Sequence, residues 1–253
     1  MKIVVLLSAG RHRVSGQPAP VPVELQALRL AVELGGEVTV LHAGPELGAL
    51  ADALGHGVGR LIHRVIADGD DPLPSLMAAL TDNPPDLILA GRSGQGGEDA
   101  GLLPYSLARA LGRPILADAA GLSAGPEAGT LAVEQALPRG ARRRVVLRLP
   151  AIVTVHPAAP APLPFAFAAM RRGVIESAPG ISAPQAVEVE ERPYRPRPKL
   201  IAKAAAGASA AERLKAATQA AGGGGTLLVD PSPEEAARAI LAHLAALGLR
   251  RDG

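Results

Sequence analysis

The residues best suited to holding a ligand lie together in DLILAGRSGQGGEDAGLLPYSLARALGRP, from Asp86 to Pro114. An apolar run there enters a glycine-rich stretch that leads into a helical pattern. Glycines allow main-chain amides to approach a phosphate without a Cβ in the way, and the following helix start presents unpaired N–H groups with partial positive charge. Gly91, Gly94, Gly96, Gly97 and Gly101 meet the first requirement. Arg92 adds a cation, and Ser93 and Gln95 add hydrogen-bond donors for phosphate or ribose oxygens. GxxxxGK[ST] is absent, and no GxGxxG opens a helix after the first apolar run, so neither a P-loop nor a standard dinucleotide fingerprint is present. A mobile surface loop is the plain alternative. Glu98 and Asp99 fall where the helix begins, a position in which carboxylates complement the helix dipole.

Other chemistries find little support. The chain has no Cys, which excludes disulfides, thiolate catalysis, iron–sulfur clusters and Cys-based zinc sites. Its six His residues form no HExxH. Ser8, Ser15 and Ser93 stand in no GxSxG elbow. His42 closes an apolar run, where a ligand could touch it, although a lone His there usually serves structure.

These residues need a scaffold, and the 253-residue chain is long enough for one sizeable α/β domain with an appendage. Hydrophobic residues make up 48% and aromatic residues 2%, so the core must be aliphatic and base stacking on aromatic platforms is not expected. A net charge of +2 is weak for nucleic acid. The apolar opening of MKIVVLLSAG is broken by Ser8, Gly10 and Arg11, and no stretch reaches the ~18 apolar residues of a membrane span. It reads as a buried first strand of a cytoplasmic protein.

Strands are expected at Ile3–Leu7, Val38–His42, Leu61–Ile66 and Leu87–Ala90, and helices near Glu24–Leu34, Pro45–Leu54 and Pro74–Leu80. This alternation predicts a doubly wound, mostly parallel α/β sheet. A small β-rich part follows, with strands at Ile115–Ala117, Ala132–Leu137, Arg144–Leu149 and Ile152–His156. Pro157 to Pro164 reads as a loop. After Ser177 a proline-punctuated arm ends in PRPKL, then helices near Ala210–Ala221 and Pro233–Leu247. The expected division is a domain over 1–180, with a loop near 157–173, and an arm with helices over 181–253. Both Phe residues, Phe165 and Phe167, fall in PLPFAFAAMRRG with Met170. Beside Arg171 and Arg172 they suit docking to an acidic surface or, alternatively, core packing.

Several segments together resemble the beta subunit of electron transfer flavoproteins, including the nitrogen-fixation-associated branch. They are the opening KIVVLL, VLHAGP at Val40–Pro45, DLILAG with its glycine loop, VEQALPRGARRRVVLRLPAIVTV at Val133–Val155, and the closing FAFAAMRRGVIE. The resemblance implies an electron-carrier subunit without catalytic residues of its own, which binds a structural AMP or, in bifurcating members, a second FAD. It implies an alpha-subunit partner bearing FAD, a flavin-dependent dehydrogenase as donor, and a respiratory acceptor. By position, the nucleotide would meet Leu6, Val21, Pro22, Ala43 and the loop from Gly91 to Leu103, including Asp99 and Leu102. Phe165, Ala166, Phe167, Met170 and Arg171 would face the dehydrogenase, and the C-terminal arm would wrap the alpha subunit. SAGRHR replaces the family's KRVPD-like segment, and Ala166 stands where some members place an anchoring Leu. The rival readings are a stand-alone ATP- or AMP-binding regulatory domain of the universal-stress or nucleotide-hydrolase type, and a binding protein whose pocket is empty.

Overall fold

The computed structural model describes residues 1–12, 14–94, 101–184, 209 and 228–246. The chain divides into two compact units, Met1–Glu188 and Val189–Gly253.

In the first unit, apolar runs alternate with helices to make a nine-stranded sheet. The strands are β1 (Lys2–Leu6), β2 (Glu37–Gly44), β3 (Arg60–Val65), β4 (Leu87–Gly91), β5 (Ile115–Ala124), β6 (Thr130–Ala136), β7 (Arg142–Arg148), β8 (Ala151–Val155) and β9 (Val174–Pro179). Their spatial order is β7-β6-β5-β8-β4-β1-β2-β3-β9. All neighbours run parallel except the meander β5-β6-β7, which is antiparallel. This is the doubly wound α/β class that the alternation predicts.

Side-chain alternation divides the core between the two faces of the sheet. Along β4, Leu87 and Leu89 point to one face, where they meet α1 (Pro22–Leu34) and a 3-10 helix at Leu50–His56. Ile88 and Ala90 point to the other, where Leu76 and Leu80 of α2 (Leu73–Asp82) and Leu107 of α3 (Leu103–Leu111) cover them. Proline at the start of α1, α2 and α3 fixes φ where no intrahelical N–H is needed.

Three expectations need correction. The helix expected at Pro45–Leu54 does not form. Gly48 adopts φ +52°, a left-handed conformation that stops an α-helix from starting, and only the 3-10 helix at Leu50–His56 follows. Ser177–Pro179, expected to open an extended tail, instead belong to β9 (Val174–Pro179), which pairs along the edge of β3. Arg60 Nε and Nη2 each donate at 2.8 Å to the Glu176 carboxylate across that pair. The strand expected at Ile115–Ala117 runs on to Ala124 through a bulge at Asp118, which takes φ +61°. A short α4 (Phe167–Arg172) precedes β9.

In the second unit, α5 (Pro233–Ala246) opens with a reciprocal cap: the Ser232 amide donates to Glu235 Oε2 at 3.0 Å, and the Glu235 amide donates to Ser232 Oγ at 3.3 Å. The helix expected at Ala210–Ala221 and the PRPKL segment lie outside the described residues.

Candidate functional site

Strands β1 and β4 are neighbours whose connections leave toward opposite faces, β1 to α1 and β4 to α3. Divergence of this kind opens a crevice beyond the carboxyl ends of the strands, the usual ligand position in open α/β sheets. A cleft of about 530 Å³ lies there. Its walls are the ends of β1, β2 and β4, the loop from Ile66 to Leu73 after β3, and the start of α3.

Of the residues expected to bind a nucleotide, Leu6, Ala43, Gly91, Gly94, Gly101, Leu102 and Leu103 line the cleft. Val21 is buried in the α1-side core and Pro22 is exposed at the first turn of α1; neither lines it. Ser93 is exposed. Arg92 turns toward β5, where its Nε lies 3.7 Å from Asp118 Oδ1. Gln95, Gly96, Gly97 and Asp99 lie outside the described residues.

The glycines make room that any side chain would fill. A Cβ at Gly91 would stand 2.9 Å from Val23 Cγ1 and 3.0 Å from Glu24 Cγ, and one at Gly94 would stand 3.2 Å from Ser8 Oγ. Gly101 has φ +68°, and a Cβ there would overlap the Arg92 carbonyl. Helix α3 opens without a side-chain cap; Pro104 carries no N–H, and the Tyr105 and Ser106 amides each donate to the Leu102 carbonyl at 3.0 Å.

The polar groups of the cleft are mostly ones that the sequence did not single out. Glu24 is buried, and its carboxylate accepts the Ser8 amide and the Ser8 hydroxyl, each at 2.7 Å. A Glu in the first turn of a helix reads as a dipole complement; the sixteen-residue pairing to Ser8 leaves no local signature. Asp68, Asp70 and Asp71 border the opposite side. Asp70 Oδ2 is buried with no hydrogen-bond partner among the described residues. The run DGDD at the end of a predicted strand was the signal for these carboxylates.

His42 lines the cleft and stacks on buried His63, ring centroids 5.3 Å apart. Its Nδ1 lies 2.9 Å from the Leu7 carbonyl and its Nε2 3.2 Å from that of Glu46. A neutral ring can donate to only one of them. Burial pushes the His42 pKa down, only partly opposed by the Leu7 carbonyl, and the neighbouring His63 lowers it further. No group of side chains able to hold a metal occurs among the described residues.

The residues expected to face a dehydrogenase form a separate surface, and none lines the cleft. The Ala166 amide donates to the Gly55 carbonyl at 2.8 Å. Phe165 lies edge-on to His56 at 5.6 Å and against Gly55, yet stays 48% exposed. Phe167 is 65% exposed. Met170 packs against the α1-side core, and Arg171 is exposed. Among the described residues, no helix is long and apolar enough to cross a membrane.

The family model for the electron transfer flavoprotein domain matches residues 10–194. A relative from Chromohalobacter salexigens, named electron transfer flavoprotein subunit beta, is 40% identical over 252 residues, spanning 96% of this chain and 94% of its own. The chain belongs to the electron transfer flavoprotein beta subunit family.

Proposed function

We propose that this chain serves electron transfer as a cytoplasmic structural subunit, holding AMP in the cleft and pairing with an alpha subunit that carries the redox-active FAD. A flavin-dependent dehydrogenase delivers electrons to that flavin, which passes them to a respiratory acceptor. The observation that carries the nucleotide half is the glycine-lined crevice between β1 and β4, whose room at Gly91, Gly94 and Gly101 side chains would close. A phosphate fits the room beside Gly91 and Gly94, where the missing side chains let the main chain approach it. Leu6, Leu41 and Leu76 offer an apolar wall for the base, and a ribose hydroxyl or an amino group would supply the donor that Asp70 Oδ2 lacks. The bound AMP supplies no redox chemistry, and the chain needs no reactive residue of its own.

Phe165, Ala166, Phe167, Met170 and Arg171 make the dehydrogenase surface in this reading, and the C-terminal unit contacts the alpha subunit. The test is co-expression with a candidate alpha subunit, then denaturation of the purified pair and mass spectrometry of what is released. AMP in amounts matching the beta subunit, together with FAD, is the expected result. A colourless, adenylate-free chain that never associates overturns the reading.

A further inference from the structure

Strand β7 closes one end of the sheet and pairs only with β6. At the two ends of that pair, the Leu137 amide donates to the Ala141 carbonyl at 2.8 Å and the Leu149 amide donates to the Gly129 carbonyl at 2.9 Å. In an antiparallel ladder every second opposed pair exchanges such bonds. With Arg143 opposite Gln135 and Leu147 opposite Leu131, the main chain of the odd-numbered residues of β7 therefore faces β6. Arg142, Arg144, Val146 and Arg148 turn their main-chain N–H and C=O groups outward, and their side chains share one face of the sheet. Leu131, Val133 and Leu147 pack on the other face with the α1-side core, whereas no residue of β6 or β7 belongs to the core beneath α2 and α3. All four outward residues are exposed, Val146 by 52%.

The charge along this edge has one sign. From Gln135 to Ile175 the sequence contains no Asp or Glu, and Arg139 adds an exposed cation at the turn before the strand. Arg142 Nη1 lies 3.0 Å from Glu134 Oε2, but Arg144 and Arg148 have no ion pair among the described residues. Charge on an edge strand commonly serves to keep other strands away. It does keep a second copy away, because β7 laid beside β7 would set arginines against arginines. An acidic strand meets the opposite case: open main-chain groups, two guanidinium groups without a carboxylate, and the exposed Val146 between them. We propose that β7 is the docking edge for an extended acidic segment of a partner protein, which continues the antiparallel meander as a further strand. Opposite Arg144, Val146 and Arg148, that segment presents acidic, apolar and acidic side chains at alternate positions. None of this depends on what the cleft holds.

The probe is the fluorescently labelled peptide Thr-Glu-Thr-Val-Thr-Glu-Thr, titrated into the full chain and followed by anisotropy and by the amide resonances of the isotope-labelled protein. Saturable binding is expected, with the largest shifts at Arg142, Arg144, Val146 and Arg148. The same peptide with Lys in place of Glu should bind at least about tenfold more weakly. So should the original peptide N-methylated at Val and at both Glu residues, which keeps its charge and loses the N–H groups that would face β7. Arg144→Glu combined with Arg148→Glu, both at exposed positions, should weaken the original peptide at least about tenfold and tighten the Lys peptide. No binding at millimolar peptide overturns the proposal. Equally tight binding of the N-methylated peptide also overturns it, by showing a contact of charge alone, and so do shifts that fall elsewhere in the chain. These three outcomes are read on the unaltered protein, so they decide the matter even if the double variant fails to fold.

Discussion

The cleft between β1 and β4 and the segment from Phe165 to Arg172 use opposite means. The cleft is defined by side chains that are missing, at Gly91, Gly94 and Gly101, and Glu24 on its wall is held by hydrogen bonds to Ser8. The segment is defined by side chains that project: Phe167 is largely exposed beside Arg171 and Arg172, while Phe165, Met170 and the Ala166 amide tie it to the body. A small ligand needs a preformed space, which small residues on rigid strand ends provide. A protein partner needs area, which large exposed side chains provide. Damage to the first should therefore disturb both fold and ligand, and damage to the second should spare the fold.

The largest effect is expected from Gly101→Ala. The new residue would hold a left-handed φ at a cost of about 1–3 kcal/mol and would overlap the Arg92 carbonyl. Thermal melting should show the loss of stability, and the purified complex should retain little AMP. Phe167→Ala should leave unfolding free energy within about 0.5 kcal/mol, yet raise the KM for the donor dehydrogenase roughly tenfold. Phe165→Ala sharpens the contrast, since it also removes the contact with His56, worth about 0.5–1.5 kcal/mol. If Phe167→Ala destabilised the fold as Gly101→Ala does, the two regions would not be distinct.

A smaller effect concerns pH. His42 is held neutral by burial, so the folded state binds fewer protons than the unfolded chain as pH falls. Its contribution is full above the unfolded pKa of about 6.5 and is lost as pH drops below that value toward the lowered folded pKa. Denaturant titrations between pH 7.5 and 5 should show falling stability, and His42→Gln should flatten that slope. The smallest effect is expected at the Arg92–Asp118 pair, whose members are 49% and 33% exposed. Arg92→Gln should change stability by less than about 0.5 kcal/mol. A large loss of AMP in that variant would show that the guanidinium leaves Asp118 for the phosphate.

Much of the scaffold was legible because it depends on local pattern. The apolar runs at Ile3, Val38, Leu61 and Leu87 are dense enough to mark central strands, and alternation with helical periodicity implies a parallel sheet. The edges were harder to see. β9 is short and mostly exposed, ends at Pro179 and carries no apolar run, so its pairing with β3 had to come from the assembled fold. Pro45–Leu54 has helical composition, but the left-handed turn at Gly48 prevails over it.

For the site, the glycine loop announced itself through composition, and the family through the order of its segments. Which polar groups meet in the crevice was a different matter. Ser8 finds Glu24, His42 finds His63, and Arg92 turns to Asp118 across separations that leave no periodic trace. Sequence by itself determined the central strands β1 to β4, the helices α1 and α2 and the glycine stretch beside the cleft, because those follow from interactions between near neighbours. Tertiary structure alone decided the polar lining of that place, because only the packing of β1, β2 and β4 against α1 brings distant residues within hydrogen-bonding distance.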